Sequence, residues 1–112
     1  MMRDKRRYLE FFLESAKKFT EEESKHLAYE AVFSLIGEQG ASKAAIQLKA
    51  FNSEKQLLLL KCALISETEV IAALSLKTQF KGEKVSLHLQ QIFGTLDKAK
   101  GGFPSLKDRK FR

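Results

Sequence analysis

Cysteine is scarce in this sequence of 112 residues, and the single one, Cys62, has no partner for an internal disulfide. A chain with no disulfide frame reads as a cytoplasmic protein. Long apolar runs are missing as well. Leu57 to Leu60 is apolar throughout but falls far short of the ~20 residues that span a membrane. Charge enters by Arg3, which leaves no apolar stretch for a signal peptide, so no membrane partner is expected. Histidine occurs only at His26 and His88, one on a predicted helix and one on a predicted strand. One cysteine and two scattered histidines offer no metal cluster, and no nucleophile stands beside a base. Gly37 and Gly40 precede a strand rather than a helix, which excludes a phosphate-binding glycine loop. Catalytic residues are therefore not expected in this chain, nor is a cofactor. Cys62 reads as a small core residue.

Arginine is absent from the whole middle of the chain, and that absence makes the net charge of +6 informative. Residues 1–7 set Arg3, Lys5, Arg6 and Arg7 against Asp4, a net of +3. Residues 96–112 set Lys98, Lys100, Lys107, Arg109, Lys110 and Arg112 against Asp97 and Asp108, a net of +4. Residues 8–95 hold ten lysines and eleven glutamates, a net of −1. Basic ends on a near-neutral body are a common device for holding a polyanion, although charge alone fits solvated tails equally well.

The apolar pattern predicts a single α+β domain. Leu9, Phe11 and Leu13 alternate as one face of a strand over residues 8–15. Thr20 followed by Glu23 is a capping box that opens a helix, with Leu27, Ala31 and Leu35 inward and Gly37 as its cap. Residues 37–43 read as a loop, about 45–51 as a strand, 52–55 as a turn and 56–64 as a third strand. Ser66 and Glu69 suggest a second capping box and a helix to about Gln79, with Val70, Ala73 and Leu74 inward. A turn at 81–83 leads to a fourth strand over 84–90, and 92–100 suggests a short C-terminal helix. The domain spans 1–100, and 101–112 is a basic tail.

The order strand, helix, strand, strand, helix, strand is the ferredoxin-like βαββαβ plan. It implies a four-stranded antiparallel sheet with two helices on one face. The all-apolar Leu57–Leu60 run suits a central strand covered on both sides. With Leu58, Leu60 and Cys62 toward the helices, the second face carries Tyr8, Phe12, Phe51, Leu57, Leu59, Lys61 and His88. Such a face is too apolar to stay bare, so the C-terminal segment or a partner is expected to cover it. The RNA recognition motif shares this strand order, but its third strand carries aromatics where this chain has leucines. The basic ends are the better RNA-contacting candidates.

Several local patterns resemble one family, the small ribonuclease P protein subunit that archaea and eukaryotes share (archaeal ribonuclease P protein component 2). They are Arg3-Asp-Lys-Arg-Arg-Tyr8, Gly37-Glu-Gln-Gly-Ala-Ser-Lys43-Ala44, Leu59-Leu-Lys-Cys62, Val70-Ile-Ala-Ala-Leu74-Ser-Leu76 and Gly94-Thr-Leu-Asp-Lys98-Ala-Lys100. They run in the family's order across about residues 3 to 100. Lys61 stands where the family favours arginine, which grips phosphate with two parallel bonds, and Phe93 where a small residue is common. The resemblance implies a non-catalytic, RNA-binding subunit that supports ribonuclease P RNA in removing 5′ leaders from precursor tRNA. Magnesium would be held by that RNA, and the protein partner would be a TIM-barrel-like subunit. It adds Lys43 to the RNA-contacting set of the two ends, and Tyr8, Phe12, Leu57, Leu59 and Phe93 form the candidate protein interface, or a homodimer contact. The alternative reading is a protein-interaction or ligand-sensing ferredoxin-like domain that dimerises through its sheet.

Overall fold

The computed structural model describes residues 5–94. In chain order the elements are β1 (Arg6–Glu14), α1 (Glu21–Ala44), β2 (Gln47–Asn52), β3 (Leu57–Ala63), a single 3-10 turn (Leu64–Ser66), α2 (Glu67–Leu76), β4 (Gln79–Phe80), β5 (Glu83–Lys84) and β6 (Ser86–Phe93). The four long strands form one antiparallel sheet in the order β2-β3-β1-β6, with β1 and β3 central. This is the expected ferredoxin-like plan, and β4 and β5 add a small separate hairpin.

The core lies between the sheet and the two helices. Leu9, Phe11 and Leu13 of β1 pack there with Leu58, Leu60 and Cys62 of β3 and Leu87 of β6. Leu27, Ala28, Ala31 and Val32 of α1 and Val70, Ala73 and Leu74 of α2 close it. Period-two alternation puts the odd residues of β1 on this side, in register with Leu60 opposite Leu9 and Leu58 opposite Phe11. The capping box at α1 forms in full. Thr20 Oγ1 accepts from the Glu23 amide at 3.2 Å, and Glu23 Oε1 accepts from the Thr20 amide at 3.0 Å. The backbone bond from Thr20 holds the Glu23 carboxyl below the usual carboxylate range.

The structure corrects several expectations. Gly37 ends the first helical stretch as expected, with φ 73° and ψ −177°, a region glycine reaches without strain, but residues 38–44 continue as a second helical stretch instead of a loop. Leu35, two residues before the break, points outward instead of joining the inward stripe. At α2 the Ser66 hydroxyl caps nothing. Ser66 belongs to the 3-10 turn, with φ −106° and ψ 7°, instead of the extended conformation that aims a side chain at the helix end. The helix stops at Leu76, short of Gln79. Ile92 and Phe93 lengthen β6 instead of opening a helix. The rest of the predicted C-terminal helix, the boundary at residue 100 and the tail lie outside the described residues.

Both edge strands carry a bulge. Leu48 pairs with Leu60 and Ala50 with Leu59, so Lys49 is an extra residue in β2. Glu10 pairs with Gln91 and Phe11 with Leu89, so Gln90 is an extra residue in β6. An inserted residue reverses the facing of everything beyond it. Phe51 therefore packs in the helix-side core, not on the second face as expected, and Ala50 takes its place there.

One clamp joins sheet and helix. Gln56, at φ 54° after the Asn52 turn, is buried, and its Nε2 donates to the Phe19 carbonyl at 3.2 Å and the Ser53 carbonyl at 2.7 Å. Its Oε1 accepts from the Phe19 amide at 2.8 Å, tying the β2–β3 turn to the chain entering α1.

Candidate nucleic-acid interface

Successive residues of a strand face opposite ways, so the paired arginines at the start of β1 divide between the two sides of the sheet. Arg7 turns to the helix side, where its Nε lies 3.3 Å from Glu67 Oε2 in the first turn of α2. Arg6 turns to the second face, at the end where Tyr8 stands opposite Lys61 in the register. Lys5 is exposed just before the strand, and its carbonyl accepts from the Leu64 amide at 2.8 Å. Lys43, exposed in the last turn of α1, shares a cleft with Glu69 of α2. Arg7 and Lys43 thus both approach the first turn of α2.

The exit of β6 falls at this same end. Phe93 stands opposite Tyr8, and a Cβ on Gly94 would lie 3.7 Å from Arg7 Nη1. The chain therefore enters β1 and leaves β6 side by side. Of the predicted RNA-contacting residues, Lys5, Arg6, Arg7 and Lys43 are gathered at this end. Arg3, Lys98, Lys100, Lys107, Arg109, Lys110 and Arg112 lie outside the described residues. Lys61 joins the cluster through its register with Tyr8, a neighbour that only strand pairing reveals.

The second face holds a separate apolar cluster. Ala50, Leu59 and Phe93 are buried together, with Tyr8 and Leu57 half-buried against them. Four of the five predicted interface residues meet there. Phe12 stands apart toward the other end, stacked on His88 at a centroid distance of 6.1 Å, and His88 Nε2 is 2.9 Å from Glu14 Oε1. Glu10, at the centre of this face, is 5% exposed, and its Oε1 has no hydrogen-bond partner among the described residues. Burial raises the Glu10 pKa above its ordinary value. On the other side Cys62 is buried, and its thiol is pushed up to about 11 by desolvation and then by Glu67, with Arg7 opposing. So high a value keeps it a thiol, not a nucleophilic thiolate. No three His, Cys, Asp or Glu side chains among the described residues are placed to hold one metal ion. No helix among them is long and apolar enough to cross a membrane.

The comparisons with known proteins point one way. The sequence profile of the Rpp14/Pop5 family matches residues 7–103. Ribonuclease P protein component 2 of Pyrococcus furiosus is 30% identical over 104 residues, covering 93% of this chain and 87% of that protein. The protein of the same name from Pyrococcus abyssi is 29% identical, covering 93% of this chain and 88% of that protein. That from Thermococcus kodakarensis is 28% identical, covering 91% and 85%. Among solved structures, a chain in the cryo-EM structure of yeast ribonuclease MRP matches with a TM-score of 0.66 and 9% identity, over 86% of this chain and 79% of that one. At that identity the likeness is one of fold.

Proposed function

Since the chain belongs to the Rpp14/Pop5 family, we propose that it is a protein subunit of ribonuclease P that binds the RNA and supports its removal of 5′ leaders from precursor tRNA. The observation that carries the RNA-binding part is that β1 begins where β6 ends. Gly94 leaves β6 against Arg7, beside Lys5 and Arg6 at the start of β1. Cations gathered there screen phosphate repulsion and release counterions from the RNA, which favours a compact RNA fold. Under this reading the magnesium is held by the RNA. A TIM-barrel-like subunit of the same assembly is the protein partner, and a homodimer is the competing association. The work takes place in the cytoplasm.

Reconstitution tests this. Ribonuclease P RNA with the protein components of the same organism should cleave precursor tRNA faster with this chain than without it, and the chain alone should not cleave. An equal rate with and without it, or cleavage by the chain alone that a point substitution in it abolishes, overturns the proposal. Sedimentation of the purified chain separates the homodimer from the mixed complex.

A further inference from the structure

The basic end of the domain also holds an acid, and the fold fixes where it stands. Glu67 begins α2, and the chain leading to it is tied to the start of β1, because the Leu64 amide donates to the Lys5 carbonyl at 2.8 Å. The Glu67 carboxylate lies in the first turn of the helix, where the positive helix end favours negative charge. Its Oε2 is 3.3 Å from Arg7 Nε. On the other side of the guanidinium, Nη1 donates to the Arg6 carbonyl at 3.4 Å and borders Gly94, where β6 ends. The Arg7 side chain is 32% exposed and that of Glu67 25%, so the pair is neither sealed in the core nor loose in water.

A carboxylate at the end that meets phosphate works against charge attraction, and a pair this exposed adds little to stability. What it supplies is direction. Arginine grips phosphate through a rigid planar fork of donors, most of them on the two η nitrogens. An arginine loose in water has to freeze its long side chain when that fork engages. One already held at Nε presents the fork in place, and the ordering is done before the ligand arrives. We infer that Glu67 is a positioning residue for RNA binding, holding the Arg7 guanidinium at Nε so that its η nitrogens are set to receive a phosphate of the RNA. The inference rests on the ribonuclease P reading. It makes Arg7 an oriented donor more than a net charge, since Glu67 offsets the charge while it aims the fork.

Charge and position predict opposite signs for one substitution, and that decides the matter. Full-length variants are titrated with the ribonuclease P RNA of the same organism at one salt concentration, and their melting temperatures are followed alongside. If only charge counted, Glu67→Ala and Glu67→Gln would bind alike and at least as tightly as wild type, because each removes one negative charge. With Glu67 as a positioning residue, Glu67→Ala should bind roughly two- to tenfold more weakly than wild type, the cost of ordering one long side chain. Glu67→Gln keeps an oxygen for Nε and should bind more tightly than Glu67→Ala. In an Arg7→Ala chain, Glu67→Ala should no longer weaken binding. Glu67→Ala binding as well as wild type, or as well as Glu67→Gln, overturns the inference and leaves Glu67 a charge that repels phosphate. Weakening by Glu67→Ala that persists in the Arg7→Ala chain overturns it too and makes Glu67 a structural residue of α2. A wild-type chain that does not bind the RNA removes the RNA-binding reading itself and the inference with it.

Discussion

The second face of the sheet and the outside of the helix layer carry apolar residues in opposite circumstances. On the sheet, Leu59 sits in a run of four leucines and is fully buried among Ala50, Phe93, Tyr8 and Leu57. On the helices, Leu35 continues the spacing of Leu27 and Ala31 in the sequence and yet is half in water. An apolar residue in a sequence says only that something could cover it. Whether it is covered depends on the register and helix breaks around it. Here the bulges bring Ala50 and Phe93 beside Leu59, while near the Gly37 break Leu35 faces outward.

The contrast is sharpest in a matched pair of substitutions. Leu59→Lys should destabilise the fold by about 3–5 kcal/mol, because it buries a charge where a full side chain was packed. Leu35→Lys should change stability by no more than about 0.5 kcal/mol. Urea denaturation of the two variants checks this, and equal losses would remove the distinction between the faces.

Next in size is the clamp that ties the two regions together. Gln56→Ala removes three side-chain hydrogen bonds and leaves both the amide and the carbonyl of Phe19 unpaired. A loss of about 2 kcal/mol is expected. Amide exchange should quicken around Phe19 and the Asn52 turn before it quickens in β1.

Glu10→Gln should stabilise by about 1 kcal/mol near neutral pH, because a neutral amide replaces a carboxylate whose charge burial disfavours. The sign follows from the raised pKa. The folded state holds this proton more tightly than the unfolded chain, so wild-type stability falls as pH rises from the ordinary carboxylate value through the folded one. The advantage of Gln should therefore vanish in acid. Melting temperatures at several pH values follow it, and an advantage that grew in acid would mean that Glu10 has a cationic partner.

The smallest effect on stability belongs to the arginine pair. Arg6→Ala should flatten the salt dependence of RNA binding by about 0.7–0.9 log units per tenfold salt, with the fold unchanged. Arg7→Ala should flatten it less, since Arg7 is already paired with Glu67, and cost at most about 1 kcal/mol for that half-exposed pair. Equal slopes for the two would mean that the pairing does not set Arg7 apart.

Much of this was legible in the residues. Alternation at Leu9, Phe11 and Leu13, and the Thr20–Glu23 box, are local signals, and the structure keeps both. Four apolar residues in a row marked β3 as central. The bulges were not legible, because Lys49 and Gln90 are ordinary strand residues and an insertion shows only when two strands are aligned. That is why simple alternation along β2 puts Phe51 on the wrong face. The Ser66–Glu69 motif has the spacing of a cap without the backbone conformation that makes one. For the candidate site, the division of charge between ends and body is a property of sequence alone. The engagement of Arg7 with Glu67 and the approach of Gly94 are contacts far apart in the chain, and only the fold supplies them.

The two bulges have a further consequence, for solubility. Among the described residues β2 and β6 are the edges of the sheet, and an edge strand presents backbone groups on which another chain's strand could extend the ladder. An extra residue in each edge strand bends it and breaks the even spacing of those groups. Lys49 adds a charge at the break in β2. Both features disfavour edge-to-edge stacking of the sheet into fibres.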